Sequence, residues 1–308
     1  MSNTILSRLL FSLRFSAALG NSSKLDCAHL HENSRHGKVR VNSTLLIWLN
    51  ENIAFQNTHT MKNNISKYHF TVEPFSEDYR GNLSWGTLGN LLLRCASLSA
   101  GTFGFGYEQV VQRRLAWVLS RLIIDVPAMP RTGEQFEIQT WVKSVYRQFT
   151  DRHYAIMRPD GTAYGYAVST WALINIDTRQ PVDLSQMPDD QLWQCIVPER
   201  EAPIAPPTRL RLQTPERLAE HTAAYTDLDI NGHVNSIRYI ELLLDRISKQ
   251  EHAANPVTRI EMQYAAESGA GDRLQISSDS SSDGAHRLYV IKRDDGTLLC
   301  RGILHQTM

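Results

Sequence analysis

The sequence predicts an α+β protein in which one unit, a helix followed by several long antiparallel strands, occurs twice. Two observations lead to this class. An apolar pattern of helical period over residues 88–100 precedes four runs that alternate as strands do, and the same order of elements returns after residue 216. Short sequences of the first unit also recur in the second in the same order, which is typical of a duplicated fold.

The first unit begins with a predicted strand at residues 68–73, and the chain turns at Gly81-Asn82. The helix that follows buries one face, formed by Leu88, Leu91, Leu92 and Cys95. Further strands are predicted at residues 115–126, 135–146, 151–158 and 163–176. A helix followed by long strands in this order indicates an antiparallel sheet curled round the helix.

The second unit repeats this order with a strand at residues 217–225, a polar turn and a helix at residues 236–248. The inward face of this helix consists of Ile237, Ile240, Leu244 and Ile247, and Asn235 is its predicted N-cap. Strands follow at residues 257–267, 273–278, 287–293 and 298–305.

Four segments are therefore expected. Residues 1–65 lack steady periodicity and are either a disordered extension or sequence upstream of the true start, with Met61 as the initiator. Residues 66–180 form the first domain and residues 209–308 the second, and residues 181–208, which contain Pro203, Pro206 and Pro207, form a linker. The basic, serine-containing N-terminus does not secure plastid targeting.

The amino-acid composition argues against several classes of function. Lys plus Arg and Asp plus Glu each number 32, which argues against an electrostatic nucleic-acid binder, and no apolar run reaches the length of a membrane span. Four dispersed cysteines, without a C-x-x-C pair, argue against a zinc site and against a disulfide framework. We therefore expect a reducing compartment, the cytoplasm, and neither a metal nor a cofactor.

The two copies of the duplicated unit differ at one stretch. Residues 156–162 match residues 291–297, and Asp78 with its downstream leucines matches Asp229 with residues 242–244. Opposite Asn231, His233 and Asn235, however, the first half carries Arg80, Asn82 and Ser84. A purely structural turn would be needed in both copies, so we expect chemistry in the second half only.

Within this stretch, acceptors and proton carriers occur at every second position: Asp227, Asp229, Asn231, His233 and Asn235. They precede a helix, whose positive end stabilises developing negative charge. Glu267, predicted to close a buried strand, offers a second carboxylate, and Ser268 is a weaker candidate because no G-x-S-x-G pattern surrounds it. The plain alternative is a solvated loop and an exposed strand-end glutamate.

The run Asp-Leu-Asp-Ile-Asn-Gly-His-Val-Asn-Ser-Ile-Arg-Tyr at residues 227–239, with Tyr-Ala-Ala-Glu-Ser-Gly at residues 264–269, resembles the acyl-acyl-carrier-protein thioesterase family, which includes bacterial relatives of the plant fatty-acid-terminating enzymes. Residues 117–122, residues 145–152 and the strand of Trp171 also resemble it, and the similarity covers about residues 66–306. The resemblance implies tandem hot-dog domains and hydrolysis of the thioester between a fatty acyl chain and the phosphopantetheine arm of acyl carrier protein.

Residue by residue, the resemblance implies that Asp229, Asn231, His233 and Glu267 are catalytic. Ser268 stands where plant members carry a cysteine, which argues against an obligatory thiolate and leaves attack by water or by a carboxylate. We expect Glu267 with His233 to deprotonate water, Asn231 to steady the carbonyl, and amides of residues 232–234 to serve as oxyanion donors. Asp229 either orients the site or is itself the nucleophile.

The substrate is expected to use both halves. Aromatic residues of the first domain, chiefly Trp117 and Trp171, are predicted to line an apolar acyl pocket. The acidic carrier would dock on some of Arg113, Arg114, Arg121, Arg147 and Arg152.

Rival functions remain open at this point: an acyl-CoA thioesterase, a hot-dog hydratase, or a non-catalytic acyl-binding module. A homodimer is also open, because the duplication itself can supply an internal pair.

Overall fold

The described part of the chain forms one antiparallel sheet of eleven strands that carries two central helices. The structure is a computed structural model that describes residues 59–187, 191–208, 216–280 and 286–307. The strands run β1 His59–Lys62, β2 Ile65–Thr71, β3 Leu115–Asp125, β4 Gln135–Tyr146, β5 Phe149–Met157, β6 Ala163–Asn175, β7 Glu216–Thr222, β8 Val257–Tyr264, β9 Arg273–Ser280, β10 His286–Arg293 and β11 Leu298–Gln306. Their order in the sheet is β1-β2-β4-β5-β6-β3-β8-β11-β10-β9-β7.

The helices are α1 Trp85–Thr102, α2 Tyr107–Gln112, α3 Gln191–Gln194, α4 Ser236–Leu244 and α5 Lys249–Ala254. Helix α1 lies against the first half of the sheet and α4 against the second. Leu88, Leu92 and Cys95 of α1 are fully buried, as the helical spacing predicts. Asn235 caps α4, because its side chain accepts the amide of Ile237 at 2.8 Å.

Helices α1 and α4 approach each other closely because α1 carries glycines at the contact. A Cβ on Gly89 would lie 2.8 Å from Cδ1 of Ile237, and one on Gly86 would overlap the carboxylate of Glu241. The two helices share one core cluster with the inner face of the sheet. Gly86 faces Glu241 and Gly89 faces Ile237, so the two helices run antiparallel and the loops in front of them lie at opposite ends of the pair.

The two halves meet at the pairing of β3 with β8, where Ile124 lies opposite Ile260. The duplication predicted from the sequence is confirmed in the turns that follow β5 and β10. The Arg158 amide donates to the Thr162 carbonyl over 2.7 Å, and the Arg293 amide donates to the Thr297 carbonyl over 2.9 Å. The same hairpin chemistry thus occurs in both halves.

The described residues of the predicted linker, 181–187 and 191–208, pack mainly against the first half. Leu184, Leu192 and Cys195 are buried with residues of α1, α2 and β3. Further on, Trp141 donates its indole N–H to the Arg200 carbonyl over 3.0 Å, and His153 Nδ1 accepts the Ala202 amide at 3.0 Å. The connector is therefore packed into the first half of the structure and does not form a free linker.

Several predicted boundaries differ from the structure. Residues 59–65 were assigned to the N-terminal extension but form β1 and the start of β2, whereas residues 1–58 lie outside the described part of the chain. The second helix ends at Leu244 rather than at residue 248, and Ser248 caps the separate helix α5. Strand β8 ends at Tyr264, so Glu267 lies in the following loop. Among the described residues no helix is long and apolar enough to cross a membrane.

Candidate active site

The loop in front of α4 is a tight turn closed by the side chain of Asp229. The Asp229 amide donates to the His233 carbonyl over 2.7 Å, and the Gly232 amide donates back to the Asp229 carbonyl over 3.0 Å. Oδ1 of Asp229 accepts the amides of Asn231 at 2.8 Å and of His233 at 3.2 Å. Gly232 has φ +79°, which glycine adopts without a steric cost. The alternating polar pattern thus belongs to a turn.

The first half contains the same turn around Asp78. Oδ1 of Asp78 accepts the amides of Arg80 at 2.8 Å and of Asn82 at 3.0 Å, and Gly81 has φ +75°. Because the carboxylate makes the same bonds in both copies, building the turn is a shared role of Asp78 and Asp229. The difference between the halves lies in the other side chains.

The loops that face these turns also correspond. The Leu83 amide donates to the Pro130 carbonyl, and the Val234 amide donates to the Ser268 carbonyl, each over 2.8 Å. Pro130 and Ser268 are therefore equivalent, and the residue before each of them is Met129 in the first half and Glu267 in the second. The first half thus has a methionine where the second has its predicted carboxylate.

His233 and Glu267 meet across the second-half turn. Nδ1 of His233 lies 3.6 Å from Oε1 of Glu267, and the two side chains are 39% and 33% exposed. His233 is bridged to Gly269, two residues beyond Glu267, by backbone pairing. A base, its partner and solvent can therefore meet at this point. The other carboxylate oxygen, Oε2, accepts a hydrogen bond from Arg179.

Asn231 has an exposed side chain at the tip of the turn. The backbone amides predicted as oxyanion donors are already engaged, since those of Gly232, His233 and Val234 donate to Asp229 O, Asp229 Oδ1 and Ser268 O. That prediction is therefore wrong for this arrangement. The carboxamide of Asn231 is the donor that the turn presents outward.

Ser268 is buried beneath the site, with only 3% of its surface exposed. Its Oγ lies 2.8 Å from the hydroxyl of Tyr239 on α4. Burial raises the pKa of Tyr239 to about 12, against a smaller opposing effect of the bond to Ser268. The Ser268 hydroxyl thus packs into the interior, and its backbone, as described above, holds Val234.

Asp227 and Asn235, the outer members of the polar run, support the scaffold. Asp227 is 3% exposed and pairs with Arg238 at 2.7 Å and with His221 at 2.8 Å. Burial acts to raise the pKa of Asp227, but hydrogen bonds from the Ala224 amide, His221 and Arg238 outweigh it and lower the pKa. Of the five alternating polar residues, Asp227, Asp229 and Asn235 therefore brace the loop, and Asn231 and His233 present their side chains at the site.

The predicted acyl-pocket residues lie in the first half. Trp117 donates its indole N–H to the Phe105 carbonyl over 2.9 Å, and Trp171 donates to Ser169 Oγ over 2.7 Å. Both rings are partly buried against core clusters. In the described residues neither tryptophan makes a hydrogen bond to the four predicted catalytic side chains.

The interior of the first half is less apolar than predicted. Arg152 is 4% exposed, and its Nη1 donates to Ser99 Oγ at 3.1 Å and to Thr140 Oγ1 at 3.2 Å. Ser66 donates to the same Ser99 hydroxyl over 3.0 Å. Arg152, which is predicted to lie among the exposed docking arginines, is therefore not part of that group.

Two open grooves of about 1100 and 930 Å³ lie elsewhere on the described surface, and neither is lined by Asp229, Asn231, His233 or Glu267. The smaller groove surrounds Asp78, Asn82 and Met129. The first-half counterpart of the candidate site therefore opens on a groove in which Asn82 and Met129 stand in the positions of His233 and Glu267.

Comparison with known proteins agrees with this arrangement. Residues 63–192 match the family model of the acyl-ACP thioesterase N-terminal domain, and residues 213–305 match that of the C-terminal domain, ACP being acyl carrier protein. The crystal structure of an acyl-ACP thioesterase from Bacteroides thetaiotaomicron is 39% identical with a TM-score of 0.73, covering 80% of this chain and 100% of that one.

Plant proteins are more distant relatives. A chloroplastic palmitoyl-acyl carrier protein thioesterase from Gossypium hirsutum is 25% identical over 225 residues, 66% of this chain and 54% of that protein, so the chain spans about half of the relative's length. The 12:0-ACP thioesterase from Umbellularia californica, at 16% identity and a TM-score of 0.71 over 80% of this chain and 99% of that one, shows the shared fold alone. These neighbours confirm the predicted tandem hot-dog fold. Since the two family models together match most of its length, the chain belongs to the acyl-ACP thioesterase family.

Proposed function

We propose that the protein hydrolyses the thioester between a fatty acyl chain and the phosphopantetheine arm of acyl carrier protein, releasing the free fatty acid and ending its synthesis. The observation that carries the proposal is the pairing of His233 Nδ1 with Glu267 Oε1 at 3.6 Å, beside a turn that presents Asn231. The same scaffold in the first half lacks all three side chains, which supports a chemical rather than an architectural role for them.

In the proposed reaction, Glu267 together with His233 removes a proton from water as its oxygen attacks the thioester carbonyl carbon. The carboxamide of Asn231 donates a hydrogen bond to the carbonyl oxygen as negative charge develops on it. The carbon–sulfur bond then breaks, the acid leaves, and the proton passes to the thiolate of the phosphopantetheine arm. Both carboxylate and imidazole are partly exposed, which supports access of water and of the arm.

Asp229 fits an orienting role in this scheme. Its Oδ1 holds the amides of Asn231 and His233, the two residues whose side chains act on substrate and water. Asp78 makes the same bonds where no chemistry is proposed. We therefore assign water, rather than the Asp229 carboxylate, as the nucleophile. Ser268, buried against Tyr239, is assigned to packing.

We assign different functions to the two domains predicted from the sequence. We assign the acyl tail to the first half, residues 66–180, with Trp117 and Trp171 among its lining, and catalysis to the second half, residues 209–308. The partly buried indoles support this assignment. The polar contacts of Arg152 lie in the same interior and interrupt its apolar surface.

The acidic carrier is proposed to dock on exposed arginines of the first half. Arg113, Arg121 and Arg147 have exposed side chains. Arg114 is paired with Asp177 and Arg152 is buried, so both are left out of the docking set. Steering by such cations acts mainly on association and weakens with salt.

The cytoplasm is the proposed location, supported by Cys95, Cys195 and Cys300, none of which takes part in a disulfide bond in the described part of the chain. Burial raises the pKa of Cys95 to about 12, so this thiol is unreactive. The homodimer left open by the sequence is tested by light scattering, since one chain has a mass of 35.0 kDa.

The experiment is a thiol-release assay with the full chain on carrier proteins loaded with acyl chains of graded length, in parallel with the matching acyl-CoA and enoyl-CoA. We expect release from the carrier-bound substrates to have the highest kcat/KM. Faster release from acyl-CoA would make the protein a coenzyme A thioesterase. Hydration of enoyl-CoA, or tight acyl binding without release, would replace hydrolysis by the corresponding rival function.

A further inference from the structure

The turn between β6 and the connector places Arg179 at the candidate site. Oδ1 of Asn175 accepts the amides of Asp177 at 3.0 Å and of Thr178 at 2.9 Å, and the Arg179 amide donates to the Asn175 carbonyl over 2.9 Å. The Asn175 amide in turn donates to the Gln180 carbonyl over 2.9 Å. These bonds fix the backbone on both sides of Arg179.

Arg179 itself has φ +59°, a left-handed conformation that is unfavourable for a residue with a Cβ. In this conformation its Nη2 donates to Oε2 of Glu267. The contact joins residues that are 88 positions apart in sequence, one in each half of the chain.

The Glu267 carboxylate is thereby anchored at one oxygen and faces His233 with the other. Arg179 binds Oε2, and Oε1 faces Nδ1 of His233 at 3.6 Å. A glutamate with a third of its side chain exposed has several accessible rotamers, and the hydrogen bond from Arg179 restricts that choice. The guanidinium selects the rotamer that faces His233.

The corresponding position in the first half has no carboxylate with which an arginine could pair. Met129 stands in the position of Glu267, and Asn82 stands in that of His233. Both ends of the arginine–glutamate–histidine chain thus occur only at the candidate site. A solvated ion pair without a role in catalysis would have no reason to occur at the candidate site.

We propose that Arg179 is a positioning residue for hydrolysis, acting through Glu267, so that the first half supplies a charge to the site as well as the acyl pocket. The proposal rests on the proposed thioesterase activity. It predicts that the second half carries an incomplete site, because its base is oriented by a residue of the first.

Arg179→Gly tests this without disturbing the turn, since glycine accepts the left-handed backbone. The chain offers a matched control in Arg114→Gly. Arg114 also has a positive φ, +57°, is also exposed, and pairs with Asp177 of the same turn. The two variants therefore differ in whether the lost guanidinium reached Glu267.

With a carrier-bound acyl substrate, Arg179→Gly should lower kcat by about tenfold or more, since misplacing a catalytic group by about 1 Å can cost on the order of 100-fold. KM should change little, because Arg179 does not bind the acyl chain. Arg179→Lys should recover part of the rate, and added guanidinium ion, compared with sodium chloride at equal ionic strength, should raise kcat of Arg179→Gly but not of Arg114→Gly.

The outcomes separate the two proposals. No thiol release by the unaltered chain removes the proposed function. If the unaltered chain is active, equal kcat for Arg179→Gly and Arg114→Gly overturns the positioning role. A loss accompanied by a melting temperature below that of Arg114→Gly, without guanidinium rescue, also overturns it in favour of a purely structural contact.

Discussion

Asp78 and Asp229 hold equivalent turns, each accepting two backbone amides on Oδ1, at 2.8 and 3.0 Å for Asp78 and at 2.8 and 3.2 Å for Asp229. One of these turns continues into Asn231 and His233, and the other continues into Arg80 and Asn82. The protein therefore contains its own comparison between a scaffold with the proposed chemistry and a scaffold without it.

Asp229→Asn preserves an acceptor oxygen at Oδ1, so the turn should persist and kcat should fall only about tenfold, the effect of a positioning rather than a bond-forming group. Asp78→Asn is the matched control and should leave kcat unchanged. Steady-state kinetics and circular dichroism measure both effects. Complete loss of turnover in a folded Asp229→Asn, with an acylated Asp229 trapped in the unaltered enzyme, would show instead that the carboxylate is the nucleophile.

His233→Ala should reduce kcat by about 10²- to 10⁴-fold, the range for removing a general acid–base group. The side chain is 39% exposed, so the free energy of unfolding should hardly change. Asn82→Ala removes the counterpart side chain in the first half and should not affect turnover. Comparable losses in the two variants would mean that the effect arises from the turn and not from the imidazole.

Ser268→Ala should keep nearly full activity, because the hydroxyl is bonded to Tyr239 and is buried. Stability should fall by about 1 kcal/mol for the lost hydrogen bond, and Tyr239→Phe should cost a similar amount. In the double variant the two losses should overlap. Denaturant unfolding measures these effects, while an inactive, folded Ser268→Ala would restore the serine as a catalytic candidate.

The contacts of Glu261, which lies away from the candidate site, should make the free energy of unfolding depend on pH. It accepts Thr208 of the connector, Arg259 and His305, and although burial acts to raise the pKa of Glu261, these bonds lower it from 4.5 to about 2. A carboxyl group whose pKa is lowered by folding stabilises the folded state at pH values above its ordinary pKa. For Glu261 this contribution is roughly 3 kcal/mol. It is lost as the pH falls toward the pKa of the folded state.

Glu261→Gln should therefore lower the free energy of unfolding at pH 7 by roughly that amount, with the difference from the unaltered chain shrinking between about pH 4.5 and pH 2. Glu216→Gln, an exposed position on β7, serves as the control. A difference that is constant over this pH range would show that the carboxylate charge of Glu261 does not stabilise the fold.

The sequence predicted the parts of the fold that local patterns encode. The spacing of Leu88, Leu92 and Cys95 located α1 because one helical face must be buried. The Asp-Gly turns located the hairpins because glycine is needed at positive φ, as at Gly161 and Gly296. Boundaries were less accurate where tertiary contacts decide them, as at the loop that carries Glu267.

The site was only partly predictable for the same reason. His233 lies within a turn whose residues are close in sequence, so the motif identified it. Arg179 could not be found in this way, because its contact with Glu267 spans the two halves and the turn around it has no distinctive pattern. The burial of Arg152 was likewise hidden, since an arginine on a strand is usually solvated.

The central claim is that the pair of His233 and Glu267 hydrolyses carrier-bound acyl thioesters. Its most direct test is the rate of thiol release from acyl carrier protein by the full chain and by Glu267→Gln, which retains the size of the side chain but not its basicity. The account predicts turnover by the unaltered chain and a loss of about 10²- to 10⁴-fold in the variant at unchanged melting temperature. Equal rates of thiol release from the two proteins would contradict it.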